Sequence, residues 1–309
     1  MKRKKRLTVY LVILLVLLLL FGAMSYMKPY DVPDLTNISV KDIEINFDKE
    51  KAFVQKSKEG TEQKPQDTNH DDLLQLSRTN ATNLYSILSE LSSIDQIKYL
   101  KEAIAHSPDN HVLLNRLRID MLKNEQTEEY ITFIKGLEES NVVKLHMALA
   151  YVDLLQDVDL GTAALGQRSS QSILILTEIL EDNPNNLLAR YARGVNNLYW
   201  PSGLQRTEKA IQDLAFCVAV AEKFPDENFP LFESFYITYG DALMKEGKIK
   251  EGRAVWKKGL KQFSNSKELE IRNSSSEQKA MKIVEESRGI DIFQRPDELI
   301  TDLQVLWEK

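Results

Sequence analysis

Three glycines and one tryptophan constrain this chain more than any other feature. From Tyr236 to Ser264 it reads YITYGDALMKEGKIKEGRAVWKKGLKQFS, with Gly240 and Gly252 on either side of a polar break at residues 245–248 and Gly259 two turns further on. Glycine inside a helix costs roughly 0.5–1 kcal/mol relative to alanine, so its repeated use within apolar-periodic stretches points to two antiparallel helices whose backbones approach closely. Trp256, Leu260 and Phe263 recur at i, i+4 and i+7 and give the second helix an apolar stripe. Glu246 and Gly247 supply the turn between the two.

This pattern resembles the tetratricopeptide (TPR) motif, a helical hairpin with small residues at its eighth and twentieth positions, an aromatic at its twenty-fourth and a helix stop near its thirty-second. Gly240, Gly252, Trp256 and Ser264 fill those places. In the same frame Pro184 stops the helix SSQSILILTEIL, and Gly194 takes the next eighth position. Pro108 closes IDQIKYLKEAIA, and Leu114, Leu117, Met121, Ile134 and Leu137 hold the register from His111 to near Val142. Two insertions are needed, around residues 157–168 and at 199–204. Both fall between helices, where a solenoid tolerates them because each repeat packs only on its neighbours. Arg118, Tyr130 and Val152 stand where the family has glycine or alanine, so the earlier repeats depart from the pattern. The expected fold class is all-α, a TPR-like helical-hairpin solenoid, or superhelix, with an N-terminal transmembrane helix. The sparse use of glycine (12) and proline (9) agrees with it, since strand-rich folds need more turns.

The transmembrane expectation rests on residues 7–24, LTVYLVILLVLLLLFGAM, an uncharged run preceded by five basic residues. At 1.5 Å per residue such a run nearly spans a bilayer core of about 30 Å, and the basic side is expected in the cytoplasm. A cleavable signal peptide is the alternative, with Ala23, Met24 and Ser25 as its cleavage site; the apolar core is longer than that class carries, which favours an uncleaved anchor. The expected organisation is a basic tail at 1–6, an anchor at 7–24, an extracytoplasmic linker at 25–70, an array of about five repeats at 71–266, and capping helices at 267–309. Within the linker, Ile43, Ile45 and Phe47 alternate with polar residues and read either as a short strand for a partner's sheet edge or as a disordered stretch. In the last segment Pro296, Asp297 and Glu298 suit a helix's first turn, and Leu299, Leu303 and Leu306 give it one apolar face to seal the array.

The net charge is −6, and without the five basic residues before Leu7 the remainder carries −11, which argues against nucleic-acid binding. Cys217 is alone on an apolar helix and reads as a core residue. His106 and His111 flank Pro108 and cannot share a helical face. Asp157, Asp159 and Gly161 open like a calcium loop but lack its later ligands, and Asp71 and Asp72 suit a helix's first turn. No phosphate loop, GxSxG elbow or HExxH is present. The chain is therefore expected to be a non-enzyme, with no catalytic residue, cofactor or metal.

The TPR resemblance implies that first-helix positions line a concave protein-binding groove. It nominates Asn115, Ile119, His146, Asp153, Tyr191, Val195, Ile237, Asp241 and Met244. This set lacks the Lys/Asn pattern of carboxylate clamps, so an internal segment or helix of a partner fits better. Tyr199 and Trp200 form a further candidate at a repeat tip, either as an exposed anchor or folded back over a neighbouring hairpin. The expected function is that of a membrane-anchored extracytoplasmic scaffold for an envelope protein complex, like the single-anchor bacterial TPR proteins of cytochrome maturation, secretion or envelope biogenesis. The alternative is a ligand-binding accessory component of a transporter or electron-transfer system.

Overall fold

The computed structural model describes residues 29–60 and 70–308; the expected anchor at 7–24 lies outside them. Among the described residues no helix is long and apolar enough to cross a membrane. The chain from Pro33 onward forms one unit.

Short polar residues set the helix starts. Asn80, Ser92, Asn110, Ser140, Asn186, Ser266 and Ser276 each cap a helix by accepting from a backbone N–H two or three residues on, which satisfies donors the helix cannot pair internally. The α-helices are α1 (Asp48–Gly60), α2 (His70–Thr79), α3 (Ala81–Ile87), α4 (Ser93–His106), α5 (His111–Lys123), α6 (Thr127–Ile134), α7 (Asn141–Asp153) and α8 (Thr162–Asp182). They continue as α9 (Leu187–Leu198), α10 (Thr207–Lys223), α11 (Phe232–Lys245), α12 (Ile249–Gln262), α13 (Lys267–Ser274) and α14 (Glu277–Arg288). The described residues contain no strand.

Consecutive helices pack as the hairpins α5/α6, α7/α8, α9/α10 and α11/α12, and the first helices α5, α7, α9 and α11 touch in series. This is an all-α, solenoid-like arrangement. A close crossing occurs where the glycines forecast it. A Cβ added at Gly240 would lie 2.2 Å from the Trp256 ring, and one at Gly252 2.9 Å from the Gly240 carbonyl, so larger residues cannot stand there. Gly247 turns the chain at φ 78°. Trp256 is fully buried, whereas Leu260 and Phe263 are half-buried. The bulky residues at small positions are accommodated by burial: Arg118, Tyr130 and Val152 all lie inside.

Three expectations change. The first repeat is not a hairpin: α3 is short, and α4 packs on α2 and α5 instead. The stretch expected as a linker docks in its second half, because Ile43, Ile45 and Phe47 turn inward while Glu44 and Asn46 face out. The alternation is real, but it meets helices of the same chain, and α1 packs against α3 and α5. Phe53 lies edge-on to Tyr85 there, 5.6 Å between centroids. Finally, residues 295–308 form no α-helix. They run as turns with a 3-10 turn at Gln304–Leu306, and Leu299 sits at φ 58°. The helical pattern loses because the array's side chains take up this segment's backbone groups.

Candidate functional site

The sequence nominated one face of the first helices, and residues 289–308 of the same chain run along the helix ends and then onto that face. Leaving α14, the segment passes the C-terminal ends of α11, α9 and α7. Lys245, almost wholly buried, donates to the carbonyls of Leu198 (2.8 Å), Trp200 (2.8 Å) and Arg288 (2.9 Å). Burial beside Arg288 brings its ammonium down to about 8. The Ser202 N–H donates to the Ile290 carbonyl at 2.8 Å, and the Gln294 N–H to the Tyr199 carbonyl at 2.8 Å. Arg295 then donates to the carbonyls of Leu155 (3.1 Å), Asp157, Val158 (3.2 Å) and Leu160 (2.7 Å). A guanidinium thus fills the carbonyl cup of the loop whose sequence began like a cation site.

The segment next enters the groove at Thr301. Arg118 and Asp153 form an ion pair at 2.6 Å with both side chains fully buried. The Arg118 guanidinium also donates to the Thr301 carbonyl (2.5 Å) and hydroxyl (2.6 Å), and that hydroxyl donates to Asp153. Burial raises the Asp153 carboxyl, with Arg118 and Thr301 opposing the rise. Asn115 reads the next two residues. Its amide donates to Asp302 (2.7 Å), while its oxygen accepts from the Leu303 N–H (3.0 Å) and from Arg118 (2.9 Å). Leu303, Leu306 and Trp307 are buried, and Trp307 ends 6.2 Å from Phe47, which stacks on Phe229. The inner part of the expected linker thus meets the C-terminal segment over the groove. Glu44 takes hydrogen bonds from Asn183 and Asn186, and Lys223 donates to the carbonyls of Leu35, Thr36 and Ile38.

The structure brings Asn115 and Asp153 together around this segment and places Tyr191, Val195 and Tyr199 on a neighbouring cavity. His146 is fully buried, 3.1 Å from His111 across the N-terminal halves of α7 and α5. Burial lowers His146 well below the ordinary histidine value and His111 to about 4. Ile119 and Met244 are core residues, and Ile237 is half-buried. Asp241 does not line the groove. It is fully buried between Arg272 (2.8 Å) and Arg288 (2.9 Å) of the terminal helices. Trp200 is folded back, its indole N–H donating to Ser169 at 2.6 Å, its ring under the Arg206 guanidinium (4.5 Å) and edge-on to Phe293. Cys217 is fully buried and its thiol is pushed well up by burial.

Sequence reasoning missed Arg118, Arg190, Arg193, Arg272 and Lys245. For the four arginines the signal was a cation in an apolar-periodic helix with an aspartate on a neighbouring helix or repeat; Lys245, which donates only to backbone carbonyls, left none. Arg190 and Arg193 meet Asp213 in this way, at 3.0 and 2.8 Å. Among the described residues no group of three or more potential metal-ligating side chains comes together. Comparisons of the chain with protein-family models, with curated proteins and with solved structures found no match.

Proposed function

We propose that this chain is a membrane-anchored, extracytoplasmic TPR-type scaffold whose concave groove binds an extended segment of a partner protein in an envelope complex. The observation that carries the reading is the mode of contact in the groove: Arg118 and Asn115 hold backbone groups of Thr301 and Leu303 as well as side chains. A surface that reads main chain at this spacing is suited to peptide recognition. The anchor is supported by the uncharged run at 7–24 behind its basic cluster, and a non-enzymatic role by the absence of a recognisable catalytic motif in the sequence. Partners are expected to be proteins of the envelope, without nucleic acid or cofactor.

A photo-crosslinking residue at Val305, half-exposed beside the groove, tests this in native membranes, with Leu174 on the outer side of α8 as control. Protein adducts specific to the Val305 position are expected; the same adducts from both positions would remove the groove as the binding surface. Mass spectrometry of the mature N-terminus checks the anchor, and a chain beginning at Tyr26 would remove it. The accessory ligand-binding reading has one observation in its favour, an apolar cavity of about 80 Å³ between the groove and residues 300–305. Copurification of a small apolar molecule with the full chain would shift the assignment to it.

A further inference from the structure

We propose that residues 289–308 are an exchangeable occupant of the groove, and that the partner replacing them presents an extended segment with the same polar spacing and a larger apolar side chain. This deepens the scaffold reading and rests on it.

Two kinds of observation carry the proposal. First, much of the segment's attachment is through its backbone. The Gln294 and Leu303 N–H groups and the Ile290 and Thr301 carbonyls are all taken by groups of the array. Any extended segment can offer these groups, so the contacts hold a class of peptide and not one sequence. Side-chain selection comes at Arg295, whose guanidinium sits on four carbonyls of the α7–α8 connection, and at two adjacent positions in the groove: a hydroxyl between Arg118 and Asp153, then an acceptor for the Asn115 amide.

Second, the segment fills its groove incompletely. A cavity of about 80 Å³ remains between Ile300, Leu303 and Val305 on one side and Leu145, Leu149 and Val195 on the other. Ile300 and Val305 border it yet stay 41% and 49% exposed, and Ile292 and Leu299 are 68% and 41% exposed. Apolar surface left in water beside an unfilled apolar space forgoes both burial and dispersion contacts. A permanent element of the core would be expected to close it. A partner segment with Phe or Trp over the cavity gains what the resident segment forgoes. Gly289, at φ 62°, joins the segment to α14 and lets the chain turn away from that helix.

The first test is native-state hydrogen exchange on the unaltered full chain. The amides of Gln294, Leu303 and Leu306 are expected to exchange by local opening, faster than the amides of α9 and α11. Exchange of both sets in one global step would overturn the proposal. The second test uses the full chain carrying Leu303→Asp and Leu306→Asp, with a labelled synthetic peptide of residues 289–308 followed by fluorescence anisotropy. Saturable one-to-one binding is expected, weaker by about tenfold or more in the unaltered chain because its groove is occupied. The same peptide with Val305→Phe is expected to bind roughly threefold tighter, by filling the cavity. A double variant with wild-type helical content that fails to bind the peptide sinks the exchange, and a Phe peptide that binds more weakly sinks the larger side chain. Should the double variant lose its helices, the exchange measurement on the unaltered chain decides. Groove-specific crosslinks without peptide exchange would keep the scaffold and discard the displacement.

Discussion

At the scale of single residues, the chain uses two opposite devices at equivalent places in its hairpins. In α11/α12 the small positions hold glycine, and the helices close until Trp256 lies on Gly240, its indole N–H reaching the Ile237 carbonyl at 3.3 Å. Gly240→Ala is therefore expected to cost about 3 kcal/mol or more, since the indole must move in a packed core. Urea unfolding followed by circular dichroism measures it; helix propensity alone would make the change stabilising by up to about 1 kcal/mol, and a gain, or a loss below about 1 kcal/mol, would contradict the close approach. In α5 the corresponding position holds Arg118, whose burial is tolerable because Asp153, Asn115 and Thr301 surround its guanidinium. Removing one member of such a pair strands the other. Arg118→Met is expected to destabilise by about 3–5 kcal/mol, and Arg118→Met combined with Asp153→Leu by less than the single change. The first of these devices was legible, because glycine in an apolar helix has few other uses. The second was not, because an arginine in a periodic pattern reads as surface until its partner, a whole repeat away, is placed beside it.

At the scale of elements, the sequence pattern was reliable where a helix packs on its sequence neighbours and failed where a segment packs on something distant. The helices after Pro108 and Pro184 begin at capped Asn110 and Asn186, as their proline stops and apolar spacing require. Residues 295–308 carry an equally good helical pattern, and yet the groove takes their backbone groups and turns Leu299 to a positive φ. Arg295 is the hinge of that choice, with its guanidinium on four carbonyls of the α7–α8 connection. In Arg295→Ala, amide exchange across residues 157–161 should accelerate while α9 to α12 keep their protection. Acceleration spread evenly over the array would show that the loop was not held by this residue. The Ile43, Ile45 and Phe47 alternation has the same origin, since period-two burial needs only a flat apolar surface and helices supplied it.

At the scale of the whole molecule, the groove is closed by segments from both ends of the described chain, and the buried histidines beneath them make stability depend on pH. His111 titrates near 6.5 when unfolded and at about 4 when folded. Below pH 6.5 the unfolded chain therefore binds the proton first, and folding stability falls as pH drops through that window toward 4. From pH 6.5 to 5 the His111 share of the loss is about 1.5 kcal/mol. Asp153 works in the opposite direction, because its raised folded value favours the folded state as pH falls. The His111 share is isolated as the difference between the unaltered chain and His111→Phe in urea unfolding at the two pH values; parallel pH dependences in the two proteins would refute the assignment. By itself the sequence determined the helical class, the helix pairing from His111 onward and the glycine-tight crossing, because those depend on spacings within one or two neighbouring hairpins. Only the tertiary structure decided that the nominated groove holds the chain's own C-terminal segment and that its polar centre is Arg118 and Asp153. Thr301 lies 183 residues from Arg118, and no local period carries a contact over that separation.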